Sequence, residues 1–331
     1  MKKLFLFLLV IVLVTVGFYF WASASAFDES QYLETISSSS TTTQDSTTLK
    51  VMTYNIGYLS GMTNNKPVSR KRELFEGNFD HLAKLVSDED IDLLAVQEID
   101  FKSSRSYNID QFQEIHDRTE FSRSALAVNW DKNYIPYPYW PIRYQFGQIY
   151  SGQAVFSKYP IISNKKEKLI KPVDQPFYYN DFYLDRLIQV DSVKINNTTS
   201  IVVMNVHLEA FSQPTRKLHL EHVYELFNEY AKKGPALLLG DFNEPAPIDT
   251  LTGMKRFYTN QRFKSAISLS ALKKDQEKHF TYSSGNPKRK IDYIFYTDEY
   301  IKRINVSTIR KQNLISDHLP VMMTFKLIHV E

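Results

Sequence analysis

Eight polar residues have the types and spacing to act on a phosphate ester: Asn55, Glu98, His207, Asp241, Asn243, Asp292, Asp317 and His318. Each sits beside an apolar run. Asn55 follows Val51-Met52-Thr53-Tyr54, Glu98 follows Leu93-Leu94-Ala95-Val96-Gln97, and His207 follows Ile201-Val202-Val203-Met204-Asn205-Val206. Asp241 and Asn243 follow Leu237-Leu238-Leu239-Gly240, Asp292 lies in Lys290-Ile291-Asp292-Tyr293, and Asp317-His318 precedes Leu319-Pro320-Val321. A strand end holds a side chain rigidly yet lets it reach a cleft. One such residue alone reads as a turn residue or a satisfied core histidine. Together they supply hard oxygen ligands for Mg²⁺ or Mn²⁺, a carboxylate to activate water, an amide to orient it, and imidazoles to donate to phosphoryl oxygens.

The elements that must position these residues are legible as alternating patterns. Strands are expected over 49–56, 91–97, 125–129, 153–157, 186–193, 200–208, 236–240, 291–296 and 321–327. Residues 70–86 carry Leu74, Phe75, Phe79, Leu82, Leu85 and Val86 at helical spacing, and 215–233 reads as a helix stopped by Gly234-Pro235. Strands bracketed by helices, with short turns such as Asn196-Asn197, predict an α/β fold. The expected architecture is a four-layer α/β sandwich, two stacked mixed β-sheets with helices on the outer faces.

The N-terminus is of another kind. Met1-Lys2-Lys3 precedes an uncharged run from Leu4 to Trp21, followed by Ala22-Ser23-Ala24-Ser25-Ala26. This reads either as a cleaved signal peptide or as an N-terminal membrane anchor over residues 1–26. Both place the remainder outside the cytoplasm, secreted or anchored. Residues 27–48, with Ser37-Ser38-Ser39-Ser40-Thr41-Thr42-Thr43, read as a Ser/Thr-rich linker. A single catalytic domain is expected over 49–331. The chain has 331 residues, a net charge of +3 and no cysteine. Disulfides, thiolate nucleophiles and Cys-ligated zinc are therefore excluded, and the weak positive charge does not call for nucleic acid.

The segments Thr53-Tyr54-Asn55-Ile56, Val96-Gln97-Glu98, Asn205-Val206-His207-Leu208, Gly240-Asp241-Phe242-Asn243, Ile291-Asp292-Tyr293 and Ser316-Asp317-His318 occur in one order. In that order the chain resembles the endonuclease/exonuclease/phosphatase superfamily, with its pancreatic-deoxyribonuclease-like fold, over roughly Lys50 to Phe325. Ser151-Gly152-Gln153-Ala154-Val155-Phe156-Ser157 resembles a further family strand, with Gln153 where Asn is frequent. The resemblance implies that Glu98 is the principal metal ligand with Asn55 beside it, and that Asp317 assists a metal. It implies that Asp241 activates water, that Asn243 holds water or phosphate, and that His207 and His318 donate to the phosphate. Asp292 would pair with His318 and keep it protonated.

The substrate stays open at this level. A phospholipid or sphingomyelin phosphodiesterase, a nuclease acting on DNA or RNA, and an inactive surface binding module are the alternatives to a general phosphoesterase. Two aromatic clusters, Tyr134 to Phe146 and Phe177 to Tyr183, read either as self-packed loops or as a substrate or membrane platform. His219 and His222 share a helix face and are expected on solvated surface, as is Arg216. Lys288-Arg289-Lys290 reads either as a phosphate-neutralising loop or as an ordinary charged one. A monomer is expected.

Overall fold

The computed structural model describes residues 1–37, 48–248, 252–310 and 314–328. In chain order the elements are α1 (Lys2–Ser23), β1 (Leu33–Ser37), β2 (Leu49–Asn55), α2 (Arg72–Glu89), β3 (Leu93–Asp100), α3 (Gln111–Arg118), β4 (Arg123–Ile135), β5 (Gly147–Ser157) and β6 (Ile161–Lys168). They continue with α4 (Phe177–Phe182), β7 (Leu187–Lys194), β8 (Ser200–His207), α5 (Gln213–Ala231), β9 (Ala236–Asp241), α6 (Lys255–Thr259), β10 (Lys264–Ser265), α7 (Leu269–Lys274), β11 (Asp292–Tyr296), β12 (Ile301–Thr308) and β13 (Val321–Leu327).

The strands form two mixed sheets. One is seven-stranded, in the order β1-β4-β5-β3-β2-β13-β12, and the other is six-stranded, in the order β10-β11-β9-β8-β7-β6. The expected α/β sandwich is thus observed. Alternation along each strand explains the layering, because successive side chains face opposite sides of a sheet. On β2, Leu49 and Val51 point between the sheets and pack with Val203, Leu237 and Leu239 of the other sheet. Met52 and Tyr54 point outward, onto Phe75, Phe79 and Leu82 of α2. On β9, Leu238 faces outward onto Val223 and Phe227 of α5.

Each sheet contains one parallel pair, β2 with β3 and β8 with β9. Each pair is joined through a helix, α2 or α5, so the carboxyl ends of all four strands lie at one end of the sandwich. A buried polar layer links the two sheets. Gln97 Nε2 donates to Asn205 Oδ1 at 2.7 Å, Asn205 Nδ2 donates to Val96 O at 3.0 Å, and Gln153 Nε2 donates to Asn205 O at 2.9 Å.

The expected linker over 27–48 is corrected in its first part. Residues 33–37 form β1, which pairs antiparallel with β4. Phe27 packs on Tyr150 with ring centroids 4.2 Å apart, and buried Tyr32 donates to Asp131 Oδ2 at 2.7 Å. Thr and Ile suit an edge strand, and a free edge on β4 supplies backbone partners that composition alone does not reveal. The Ser/Thr run itself lies mainly outside the described residues.

Candidate active site

The carboxyl ends of the two parallel pairs carry the predicted residues. Asn55 ends β2, and Glu98 follows it across the β2–β3 register, where Asn55 lies opposite Gln97. Glu98 sits at a register shift in β3, with φ of 53°. A non-glycine residue with positive φ is uncommon, and here the bulge turns the Glu98 carboxylate back toward Asn55. His207 ends β8 directly opposite Asp241 at the end of β9. Asp241 in turn pairs with Asp292, the first residue of β11. Gly240 permits this close pairing: a Cβ there would lie 1.9 Å from Val206 O, and φ is 138°.

Asp241 is the centre of the cluster. Its Oδ2 accepts from Asn55 Nδ2 at 3.0 Å and lies 3.6 Å from His207 Nε2 and 3.7 Å from His318 Nε2. Its Oδ1 accepts from the Asn243 backbone N–H at 2.9 Å. Burial, opposed by the His318 charge and reinforced by Asp292, raises the Asp241 carboxyl above its ordinary value. His318 Nδ1 lies 3.1 and 3.0 Å from the two Asp292 oxygens. Burial opposes its charge, yet Asp292 and Asp241 outweigh that penalty and hold His318 up at about 10. His207 goes the other way: burial, then the charges of Arg186 and His318, push it well below its ordinary value. One imidazole is therefore charged at neutral pH and the other is not.

Glu98 forms the second half of the site, with its side chain 23% exposed. Its Oε1 accepts from Asn55 Nδ2 at 3.0 Å, and its Oε2 accepts from Asn64 Nδ2 at 3.1 Å. The same Asn64 nitrogen donates to Asp317 Oδ1 at 3.2 Å. Burial raises the Asp317 carboxyl. Asn64 Oδ1 is buried and has no hydrogen-bond partner among the described residues. The two carboxylates are hard donors that suit a divalent cation, and the Asn64 amide, whose nitrogen faces them here, would present its orphaned oxygen to an ion once turned over. A second group, Asp241, Asp292 and His318, has ligand atoms within 4.8 Å of one another. A protonated His318 has no lone pair to offer, so the Glu98 side fits a cation better.

All eight predicted residues thus converge. Asn243 differs in detail, since its Nδ2 donates to Leu208 O at 3.0 Å and so braces the loop after β8. Gln153 lies in the inter-sheet layer rather than in the cleft. Three residues of the site were not singled out from the sequence. Asn64 lies in a loop with no periodicity. Glu209 and Arg186 form a buried pair behind His207, 3.6 Å apart, with Tyr183 donating to Glu209 at 3.0 Å. Arg186 precedes an apolar strand and Glu209 lies two residues beyond His207, which is the only signal that sequence offered.

The secondary readings change as well. His219 is buried rather than solvated, with its Nε2 2.8 Å from Ile170 O, because the segment before β7 crosses over α5. His222 is exposed and paired with Glu167. Arg216 binds Glu244 at 2.7 Å and the carbonyls of Glu209 and Ala210 at 3.1 Å, which straps down the loop beyond His207. Lys290 is buried and donates to Asp292 O, and burial pulls it down to about 7. Arg289 lies over the Tyr282 ring, which packs against His318.

A two-sheet sandwich with carboxylates, amides and imidazoles at the ends of its central strands defines a phosphoesterase scaffold. The chain belongs to the endonuclease/exonuclease/phosphatase family, whose model matches residues 52–318; members of this family are phosphoester hydrolases. No curated protein matches the sequence closely enough to count as a relative. Among solved structures, an endonuclease/exonuclease/phosphatase from Beutenbergia cavernae is similar at a TM-score of 0.61 and 18% identity, covering 85% of this chain and 72% of that one. A mannosyl-6-phosphatase from Bacteroides thetaiotaomicron is similar at 0.56 and 16% identity, covering 85% and 100%. The human Nocturnin catalytic domain is similar at 0.56 and 16% identity, covering 92% and 100%. At such identities these likenesses establish the fold.

Proposed function

We propose that this protein is a divalent-metal-dependent hydrolase of phosphate esters, acting by in-line attack of an activated water. The observation that carries the reading is the Asp241 carboxylate, buried and flanked by Asn55, His207 and His318. A carboxylate with a raised pKa is suited to take a proton near neutral pH. Asp241 takes the proton from water as the water oxygen forms the new bond to phosphorus, and the P–O ester bond breaks on the opposite side, the leaving oxygen taking a proton from solvent to depart as the alcohol. The protein forms no covalent intermediate. Charged His318, oriented by Asp292, donates to a phosphoryl oxygen, and neutral His207 has one N–H to offer the same group. Asn243 fixes the Asp241 carboxylate through its backbone N–H.

Glu98 and Asp317, with the amides of Asn55 and Asn64 beside them, would hold Mg²⁺ or Mn²⁺. When bound, the ion supplies positive charge to the oxygens of the substrate phosphate. The mannosyl-6-phosphatase is, by its name, a phosphatase of a mannose phosphate, so small phosphate esters belong among the substrates to test beside diesters. α1 is 22 residues long and apolar enough to cross a membrane, which supports an extracytoplasmic location for the domain.

The test is hydrolysis of a panel of phosphomonoesters and phosphodiesters by the full-length protein, with Mg²⁺ or Mn²⁺ and with a chelator. Metal-dependent turnover that disappears in Glu98→Gln and Asp241→Asn is the expected result. A wild-type protein that cuts nothing on the panel would sink the reading.

A further inference from the structure

The apolar helix is built into the catalytic domain. Asn133 Nδ2 donates to Trp21 O at 3.0 Å, and the Asn133 backbone N–H donates to Ala24 O at 2.9 Å. Lys132 donates to Ser23 O, so the last carbonyls of α1 are satisfied by β4. Asp131 then receives the backbone N–H groups of Ala26 and Phe27 at 2.8 and 3.0 Å. Phe18 packs on Tyr134 with centroids 5.8 Å apart, and Tyr19 packs on Phe182 at 5.5 Å while its hydroxyl donates to Asp181. Of the small residues that a signal peptidase would read, Ala22 is fully buried and Ser23 and Ala26 are half-buried, while Ala24 and Ser25 are exposed but tied to the domain through the Ala24 carbonyl and the Ser25 hydroxyl. Elsewhere α1 is exposed along its length.

The two elements that grip α1 also border the cleft. The loop after β4 carries Tyr137, whose hydroxyl donates to Asn65 O at 3.4 Å, next to the Asn64 that holds Glu98. The segment containing α4 leads into Tyr183, which donates to Glu209 just beyond His207. Between and around them, large apolar side chains face solvent: Tyr139 is 73% exposed, Trp140 75%, Ile142 62%, Phe177 72%, Tyr178 58% and Phe211 78%. Scattered single apolar residues need no explanation, but six on the segments beside α1 and just beyond His207 do. A helix of this length spans about 33 Å at roughly 1.5 Å per residue, which matches a hydrocarbon core of about 30 Å. The domain begins where that helix ends, so the aromatic loops sit at the level where Tyr and Trp favour a membrane–water boundary.

We propose that α1 is retained as an anchor, that this aromatic edge seats the domain on the bilayer α1 spans, and that the esters entering the cleft are lipid headgroup phosphates. The hydrolytic step rests on the reading above; the seating does not.

The experiment uses the full chain reconstituted in phosphatidylcholine vesicles. With bromine-labelled lipid, Trp140 emission is quenched, and Trp140→Phe removes that quenched component. In Tyr139→Ser/Trp140→Ser/Phe177→Ser, hydrolysis of phosphate-ester lipid falls about tenfold or more, while hydrolysis of water-soluble bis-p-nitrophenyl phosphate stays unchanged. Unquenched Trp140, equal loss on both substrates, cleavage of nucleic acid but not of lipid, or a membrane-free product starting near Phe27 would each overturn the proposal. If the wild type cuts neither ester, the hydrolase reading fails, and the quenching result still judges the membrane surface on its own.

Discussion

His207 and His318 face the same oxygen from two sheets and end in opposite protonation states. Their Nε2 atoms lie 3.6 and 3.7 Å from Asp241 Oδ2, and both side chains are buried. Behind His318 is a carboxylate, Asp292, at 3.0 Å. Behind His207 is a guanidinium, Arg186, whose charge adds to the burial penalty. His207 Nδ1 has no partner among the described residues. The lesson is that the shared carboxylate does not decide the charge alone: Asp292 together with Asp241 holds His318 protonated, whereas burial, with the Arg186 charge added to it, keeps His207 neutral. One fold thus keeps a fixed positive donor and a neutral one against a single base.

The comparison breaks most completely if the shared oxygen is removed. Asp241→Asn is expected to lower kcat on the order of 10²–10⁴-fold, the usual scale for a lost general base. A residual rate within tenfold of wild type would show that neither ring works through Asp241. Next in size is Glu98's neighbour: Asn64→Ala should weaken Mg²⁺ or Mn²⁺ binding by about 10–100-fold, read by metal titration of activity and by calorimetry. Unchanged affinity would remove Asn64 from the metal side of the cleft.

Asp292→Asn separates the two rings by pH. The folded His318 pKa is raised to about 10, above the ordinary His value of about 6.5. Its charge therefore stabilises the fold fully below about 6.5, and that contribution is lost as pH rises toward about 10. The wild-type rate should fall as pH approaches that upper value. In Asp292→Asn the alkaline limb should shift toward neutrality, with thermal stability flattening over the same window. An unmoved limb would assign it to another group. The smallest effect concerns the other ring. Arg186→Met with Glu209→Gln removes a buried charge pair together, and the His207 pKa should rise, seen by NMR of the imidazole protons. No change would leave burial and the His318 charge as the causes of its neutrality.

The site was largely legible because strand ends announce themselves. Asn55, Glu98, His207 and Asp241 each terminate a run of apolar residues, and a polar residue there must be placed for a reason other than packing. Helix α2 was legible through Phe75, Phe79 and Leu82, spaced for one face. Asn64 was not, since its task depends on a loop conformation that no periodicity encodes. Arg186 and Glu209 were invisible as a pair because the contact joins residues just outside the ends of β7 and β8, which only the sheet register brings together. β1 was hidden by its Ser- and Thr-rich surroundings; only the open edge of β4 makes 33–37 a strand. His219 was misread because the outer face of α5 is covered by the chain around Ile170, a long-range contact.

The buried amides between the sheets have a consequence for how alignment is kept. Asn55 and Glu98 belong to one sheet, His207 and Asp241 to the other, so the cleft is a joint between two slabs. Apolar side chains in that joint would tolerate sliding, since oily contacts have no preferred phase. Gln97 and Asn205, bonded at 2.7 Å with Gln153 beside them, act as a dowel. They cost desolvation and return a fixed registration of one slab on the other, which is what lets Asn55 of one sheet meet Asp241 and His207 of the other.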